Sequence, residues 1–214
     1  MIRRKPIITA STDLAVEKRP RPPKERCRPH KWLSEESMRS YAESDGAFEL
    51  YISKTAEERI RNHALSKKDD VVEVMGFLLG SIYEDGGKTY ALVRDVATTD
   101  LDATSVSVKF DREGFERLFE SMDDSCFNYV IVGWYHSHPG HGCFLSQVDV
   151  DTQTKMFSGP YHSALVIDPV NVEIAVFRLK EGSVEERPFA IYWDEYQNPY
   201  YGETVMARKK RSEQ

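Results

Sequence analysis

Three of the six histidines in this 214-residue chain fall within six positions. They lie in the run His136-Ser137-His138-Pro139-Gly140-His141-Gly142-Cys143-Phe144-Leu145-Ser146-Gln147-Val148-Asp149. Side chains two apart on a strand share a face. His136 and His138, at the end of the apolar run YVIVGWY, can therefore converge on one ion. Pro139 and the two glycines stop the strand and turn the chain. Asp149 falls in the first turn of a following helix, from where it can reach back as a third ligand. Two imidazoles and one carboxylate suit zinc, and three protein ligands leave a fourth tetrahedral position for water, as in a catalytic rather than a structural site. Water in such a position loses its proton near neutral pH and becomes a usable nucleophile.

Each of these residues has a plainer reading. A lone H-x-H can be two surface histidines, and Ser146-x-x-Asp149 can be only a helix N-cap with an acidic third position. His141 reads as loop decoration, and Cys143 as a packing thiol, because Asp149 already completes the ligand set. Metal-assisted hydrolysis also needs a base, and Glu73 is the candidate. It lies in VVEVMGFLLG, where an ionised carboxylate is costly without a partner. Its alternative is an edge-strand glutamate facing water.

The elements that must position these residues follow from periodicity. Thr55-Ala-Glu-Glu58 has the form of a capping box and predicts a helix to about Lys67. Residues 71–83 read as a strand with Val71, Glu73 and Met75 on one face. Asp85-Gly86-Gly87 then turns the chain into a second strand over 88–98, a hairpin. Residues 99–107 read as a loop, with Val106 and Val108 able to form a short strand. A helix is predicted over 111–122, where Phe115, Leu118, Phe119 and Met122 make one apolar face. Residues 129–135 read as a buried strand and 146–157 as a helix. Residues 163–167 and 173–179 read as two more strands, and the aromatic segment 187–201 as packing back on the body. The interleaving predicts an α/β (α+β type) domain: a mixed, mostly antiparallel sheet flanked by helices.

Composition divides the chain. Residues 1–33 carry ten Lys/Arg and three Asp/Glu, a net +7, so the remainder carries −13 of the overall −6. Residues 1–47, basic and proline-rich around 18–24, are expected as a flexible extension with a short helix near 34–42. Residues 48–201 are the expected catalytic domain and 202–214 a charged tail. A basic leader can bind nucleic acid, although a merely solvated leader is the reading adopted here. Cys27 and His30 within it could reach the open metal position and silence the enzyme; the alternative is that both are incidental. The three cysteines (Cys27, Cys126, Cys143) form no CxxC pair. With no apolar run of membrane length and no secretory signal, a cytoplasmic protein without a membrane partner is expected.

Taken together, Glu73 in E-V-M-G-F-L-L-G, His136-Ser137-His138-Pro139, Ser146 and Asp149 resemble the motif of the JAMM (MPN+) metalloprotease family: an upstream Glu, then H-[ST]-H-P-x6-S-x2-D. The likeness spans roughly residues 48–180. GWYHSHPGHGCFLSQVDVDTQ and DPVNVEIAVFRL are most similar to the proteasome-lid deubiquitinase branch. The resemblance implies a cytidine-deaminase-like MPN fold and a zinc-dependent isopeptidase. Such an enzyme cuts after the C-terminal Gly-Gly of ubiquitin or a ubiquitin-like modifier, in deconjugation or precursor processing. It further implies one zinc ion on His136, His138 and Asp149, with Glu73 as proton shuttle and Ser146 as oxyanion donor. The modifier tail would be added as a strand near 98–108, including Val106 and Val108, between walls such as Trp134 and Phe144; for Trp134 and Phe144 simple core packing is the alternative. One departure is His141, where eukaryotic relatives carry an aromatic residue. The chain also stops without the C-terminal helices that anchor eukaryotic lid members, so a stand-alone or archaeal-type protein is expected, with the proteasome or its ATPase as a further partner. A hydrolase for another small sulfur-carrier protein and a non-catalytic scaffold are the competing readings.

Overall fold

The computed structural model describes residues 17–18, 27–70, 72–98 and 129–193. The predicted helix over 111–122, Val106 and Val108, Cys126 and the tail beyond 193 lie outside the described residues. Within them the strands are β1 (Glu17–Lys18), β2 (Cys27–Arg28), β3 (Leu50–Ser53), β4 (Met75–Asp85), β5 (Lys88–Thr98), β6 (Val130–Ser137), β7 (Ser163–Asp168), β8 (Glu173–Lys180), β9 (Ser183–Glu186) and β10 (Ala190–Tyr192). The helices are α1 (Glu35–Glu43), α2 (Lys54–Ser66) and α3 (Gln147–Met156). All ten strands join one sheet in the order β2-β10-β3-β5-β4-β6-β7-β8-β9, with β1 beside β4. The sheet is mixed, as expected. Its longest pairing is the antiparallel β4–β5 hairpin, closed by a two-residue turn at Gly86-Gly87. The strand expected from Val71 begins only at Met75, so Glu73 sits on the approach to β4 rather than within it.

Alternating side chains give the sheet two apolar faces. Leu78, Val93, Tyr135, Leu165 and Ile167 pack under α2 with its Ile60 and Ala64. Phe77, Leu79, Trp134, Ala164 and Val166 pack on the other face with Phe157, which follows α3. Helix α2 is capped by Ser53, whose Oγ accepts from Ala56 N–H at 3.2 Å. The cap expected at Thr55 is displaced because Ser53 is the last extended residue of β3 and can turn its hydroxyl onto the first turn.

The link from β6 to β7 matters most for the site. The two strands are parallel and neighbours, so the chain must cross over between them, and α3 lies in that connection. Functional groups in such units collect where strands end and helices begin. Here that places the end of β6 against the first turn of α3. Strand β6 also carries an irregularity: Leu78 pairs with Gly133, but Leu79 pairs with Ile131. Val132 faces the α2 side and Trp134, two residues on, faces the α3 side. The extra residue reverses the alternation and turns Trp134 and His136 toward α3.

Residues 27–47, expected in a flexible extension, are built onto the sheet. β2 pairs with β10, and α1 is capped by Ser34. His30 is buried, and its Nε2 lies 2.9 Å from Glu57 Oε1 on α2. Burial alone would raise the Glu57 carboxyl, but hydrogen bonds from His30, Lys54 and Arg61 outweigh it and hold it low. His30 is thus spent on the α2 face, and Cys27 lies in β2. Neither fits the silencing role at the metal position, because His30 is hydrogen-bonded to Glu57 on α2 and the strand of Cys27 is separated from β6 by β10, β3, β5 and β4.

A Cβ at Gly133 would meet Ser163 O at 2.1 Å. Gly133→Ala is expected to lower stability by about 1–3 kcal/mol through forced separation of β6 and β7, read as a drop in the thermal midpoint. An unchanged midpoint would show that the irregularity does not depend on this close approach.

Candidate metal centre

His136 lies in β6 opposite Met75 of β4, and His138 follows two residues later, its N–H donating to Ile167 O at 3.0 Å. The residue between them has its own task. Ser137 points to the opposite face, accepts from Val74 N–H on its Oγ at 2.9 Å, and donates its own N–H to Val74 O at 2.9 Å. This pins the segment that carries Glu73 beside the two imidazoles. Glu73 Oε1 lies 3.9 Å from His138 Nε2. Burial and the nearby Asp149 raise the Glu73 carboxyl above its ordinary value, against the opposing pull of His136 and His141.

One ligand atom each from His136, His138 and Asp149 falls within a 4.8 Å cluster, and all three residues are buried. The two Nε2 atoms are 3.0 Å apart. His136 Nε2 is 3.6 Å from Asp149 Oδ1, and His138 Nε2 is 3.9 Å from Asp149 Oδ2. Donors about 2.0–2.1 Å from a tetrahedral ion stand roughly 3.3 Å from one another, so the spacing fits zinc. The chemistry fits as well. His138 Nδ1 lies 3.1 Å from Gly142 O, a contact only a protonated Nδ1 can make, so its Nε2 carries the lone pair. Burial and the neighbouring His136 push His138 down to about 4, keeping it neutral. Asp149 is held at about 2: burial opposes this, but hydrogen bonds from His136 and Ser146 prevail.

Ser146 and Asp149 form a reciprocal capping box at the start of α3. Ser146 N–H and Oγ–H both donate to Asp149 Oδ2, at 2.7 and 2.6 Å, while Ser146 Oγ accepts from Asp149 N–H at 3.3 Å. The cap reading and the ligand reading of this pair therefore coexist. Oδ2 is held by the helix start, and Oδ1 is left for the cluster.

Trp134 corrects an expectation. It is 1% exposed and cannot line an open channel. Its ring stacks on His136 at 4.7 Å with planes 12° apart, and its Nε1–H donates to Gln153 Oε1 at 2.7 Å. Gln153 sits one turn after Asp149 on α3. Trp134 therefore ties the imidazole on β6 to the helix that carries the carboxylate. Phe144 is 47% exposed and its ring lies 4.7 Å from His138, so it remains available as a wall. His141 is exposed in the loop. The Cys143 Sγ lies 3.4 Å from Val166 O, and burial pushes the thiol up to about 12, leaving it a packing group.

Asp168, which sequence reasoning passed over, ends β7 and is fully buried. Its Oδ1 accepts from the N–H groups of Gly140, Val170 and Asn171 at 2.9, 2.9 and 3.0 Å. Its Oδ2 accepts from Gly142 N–H at 2.7 Å and from Asn171 Nδ2 at 2.8 Å. These backbone donors outweigh burial and lower its carboxyl. The signal was Asp168-Pro169-Val170-Asn171, since Asp readily bonds the amides two and three residues ahead in a turn.

A model of the JAB1/Mov34/MPN/PAD-1 ubiquitin protease family matches residues 47–158, just over half of the chain. COP9 signalosome complex subunit 5 of Debaryomyces hansenii is 37% identical over 154 residues, covering 70% of this chain and 30% of its own. The 26S proteasome regulatory subunit RPN11 of Eremothecium gossypii is 36% identical over 138 residues, covering 61% and 42%. Ubiquitin carboxyl-terminal hydrolase RPN11 of Saccharomyces cerevisiae is 36% identical over 139 residues, covering 61% and 43%. The chain spans less than half the length of these relatives. The matched family segment contains Glu73, His136, His138, Ser146 and Asp149 together, and the chain belongs to the JAB1/Mov34/MPN/PAD-1 ubiquitin protease family.

Proposed function

We propose that this chain is a zinc-dependent isopeptidase that hydrolyses the bond after the C-terminal Gly-Gly of ubiquitin or a ubiquitin-like modifier. The observation that carries the reading is the convergence of His136, His138 and Asp149 within 4.8 Å, with Glu73 beside them. A zinc ion held by these three residues would supply Lewis acidity, polarising the scissile carbonyl and making water nucleophilic near neutral pH.

The chain's own groups divide the remaining work. Glu73 stands close enough to take the proton of the attacking water and deliver it to the leaving lysine amine. Burial raises its carboxyl, which makes it a better proton acceptor than an ordinary glutamate. Ser146 Oγ–H, which caps Asp149 at rest, would turn its hydrogen bond onto the developing oxyanion. Asp149 keeps its Oδ2 bond to Ser146 N–H meanwhile. Phe144 offers an exposed apolar wall beside His138. The modifier tail would lie extended along the segment around 98–108, with Val106 and Val108 as partners in strand addition.

Among the described residues no helix is long and apolar enough to cross a membrane. The names of the relatives point to partners of two kinds, COP9 signalosome and proteasome assemblies. We extend that to this chain as a proposal only: a ubiquitin-type conjugate as substrate, with the proteasome or its ATPase as a docking partner, in the cytoplasm.

The direct test is cleavage of a lysine-linked ubiquitin conjugate by the full chain, with zinc and after chelation, beside the same assay on another ubiquitin-like conjugate. Cleavage after Gly-Gly that requires zinc is expected; cleavage that survives complete metal removal would overturn the reading. Glu73→Gln should reduce turnover at least about a hundredfold while zinc content stays at the wild-type level. Ser146→Ala should lower kcat about 10²- to 10³-fold and also cost about 1 kcal/mol as a lost cap. A stability loss with unchanged kcat, measured well below the melting transition, would leave Ser146 only its cap.

A further inference from the structure

We propose that Asp168 is a positioning residue for the metal centre, acting on His138 through the backbone of Gly142. The inference rests on the zinc reading above. It goes beyond that reading by adding a residue from β7 that touches neither the ion nor the substrate.

The path is short and polar at every step. Asp168 Oδ2 accepts Gly142 N–H at 2.7 Å, and Gly142 O lies 3.1 Å from His138 Nδ1. The same glycine therefore receives the carboxylate on its amide and orients the imidazole with its carbonyl. That carbonyl fixes which nitrogen of His138 is protonated, and so which one presents a lone pair to an ion. The loop can do this only in an unusual backbone shape: Gly140 and Gly142 have φ of +84° and +79°. Neither glycine belongs to a strand or a helix, so the aim of the Gly142 carbonyl depends on what grips its amide. Asp168 grips both glycines at once, one with each oxygen.

The division of labour between the two oxygens makes the idea testable. Oδ1 takes three backbone N–H groups, whereas Oδ2 takes Gly142 N–H and the side chain of Asn171. In Asp168→Asn the amide oxygen can keep the three-donor position. The amide NH2 then faces Gly142 N–H, donor against donor. Shape and most turn contacts survive, and the link to His138 is lost. Asn171→Ala does the reverse, removing a turn contact while Gly142 keeps its acceptor.

The experiment is a zinc titration of the full chain at 25 °C by competition with a chromophoric chelator, beside circular dichroism and thermal melting. Asp168→Asn is expected to bind zinc about 10- to 100-fold more weakly with an unchanged folded spectrum. Asn171→Ala is expected to lose stability while its zinc affinity stays within about twofold of wild type. In the zinc-free wild type, the His138 Nδ1 proton should be visible by NMR and exchange slowly; in Asp168→Asn it should exchange fast. Wild-type zinc affinity in folded Asp168→Asn would overturn the inference and leave the zinc reading standing. So would a zinc loss in Asn171→Ala as large as that in Asp168→Asn, because the turn would then act only through stability. A wild-type protein that binds no zinc would overturn both. Should Asp168→Asn fail to fold, the wild type decides. Slow exchange of the His138 Nδ1 proton and the Gly142 amide supports the link, and fast exchange of both overturns it.

Discussion

The extra residue at Gly133 decides which face of the sheet His136 occupies, and the rest of the site depends on that parity. Without it, Trp134 and His136 would follow Val132 onto the α2 face, with the sheet between them and Asp149. With it, they face the helix that the β6–β7 crossover must carry over this side of the sheet. One backbone irregularity, made possible by a glycine against Ser163, thus brings a strand's imidazoles to a helix's carboxylate. Ring stacking of Trp134 on His136 and its bond to Gln153 hold the strand and helix in that relation.

A site of this kind sets buried polar groups close together with like ends facing. The His136 and His138 Nε2 atoms lie 3.0 Å apart, a separation that needs a proton or a cation between them. Such crowding persists only where most other polar atoms are well partnered. The surroundings meet that demand at His138, Asp149 and Glu73, while His136 Nδ1 is buried without a hydrogen-bond partner. Ser137 fixes the approach of Glu73, Gly142 fixes the His138 tautomer, and Ser146 occupies one oxygen of Asp149. Asp168 in turn fixes the loop that holds Gly142. His138 and Asp149 are each oriented from outside the cluster, by Gly142 and Ser146, whereas His136 is held by the Trp134 ring and by its two neighbours in the cluster.

Much of the site was legible in the sequence because two of its rules are local. Strand alternation placed His136 and His138 on one face, and a serine three residues before an aspartate marked a helix start that could return a carboxylate. What was not legible depended on registers no local pattern encodes. Glu73 fell outside β4 because the strand starts at its pairing partner for His136, not where the apolar run begins. Trp134 read equally as wall or core until the β6 irregularity showed it turned under His136. Residues 1–47 read as a flexible extension from the charge of 1–33 and the prolines around 18–24, with only a short helix near 34–42, where α1 lies. The decisive contacts, His30 with Glu57 and β2 with β10, join positions far apart in the chain. Asp168 carried a local turn signal, but its hold on the His138 loop spans 26 residues and exists only once β7 lies beside β6.

The central claim is that His136, His138 and Asp149 form one zinc site with nitrogen and oxygen donors only. X-ray absorption at the zinc edge, on the full chain loaded with one equivalent, tests it most directly. The account predicts a four-coordinate first shell with two imidazole nitrogens at about 2.0–2.1 Å, oxygen completing it, and no sulfur near 2.3 Å. A shell containing sulfur, or one unaltered by replacing both His136 and His138, would contradict it.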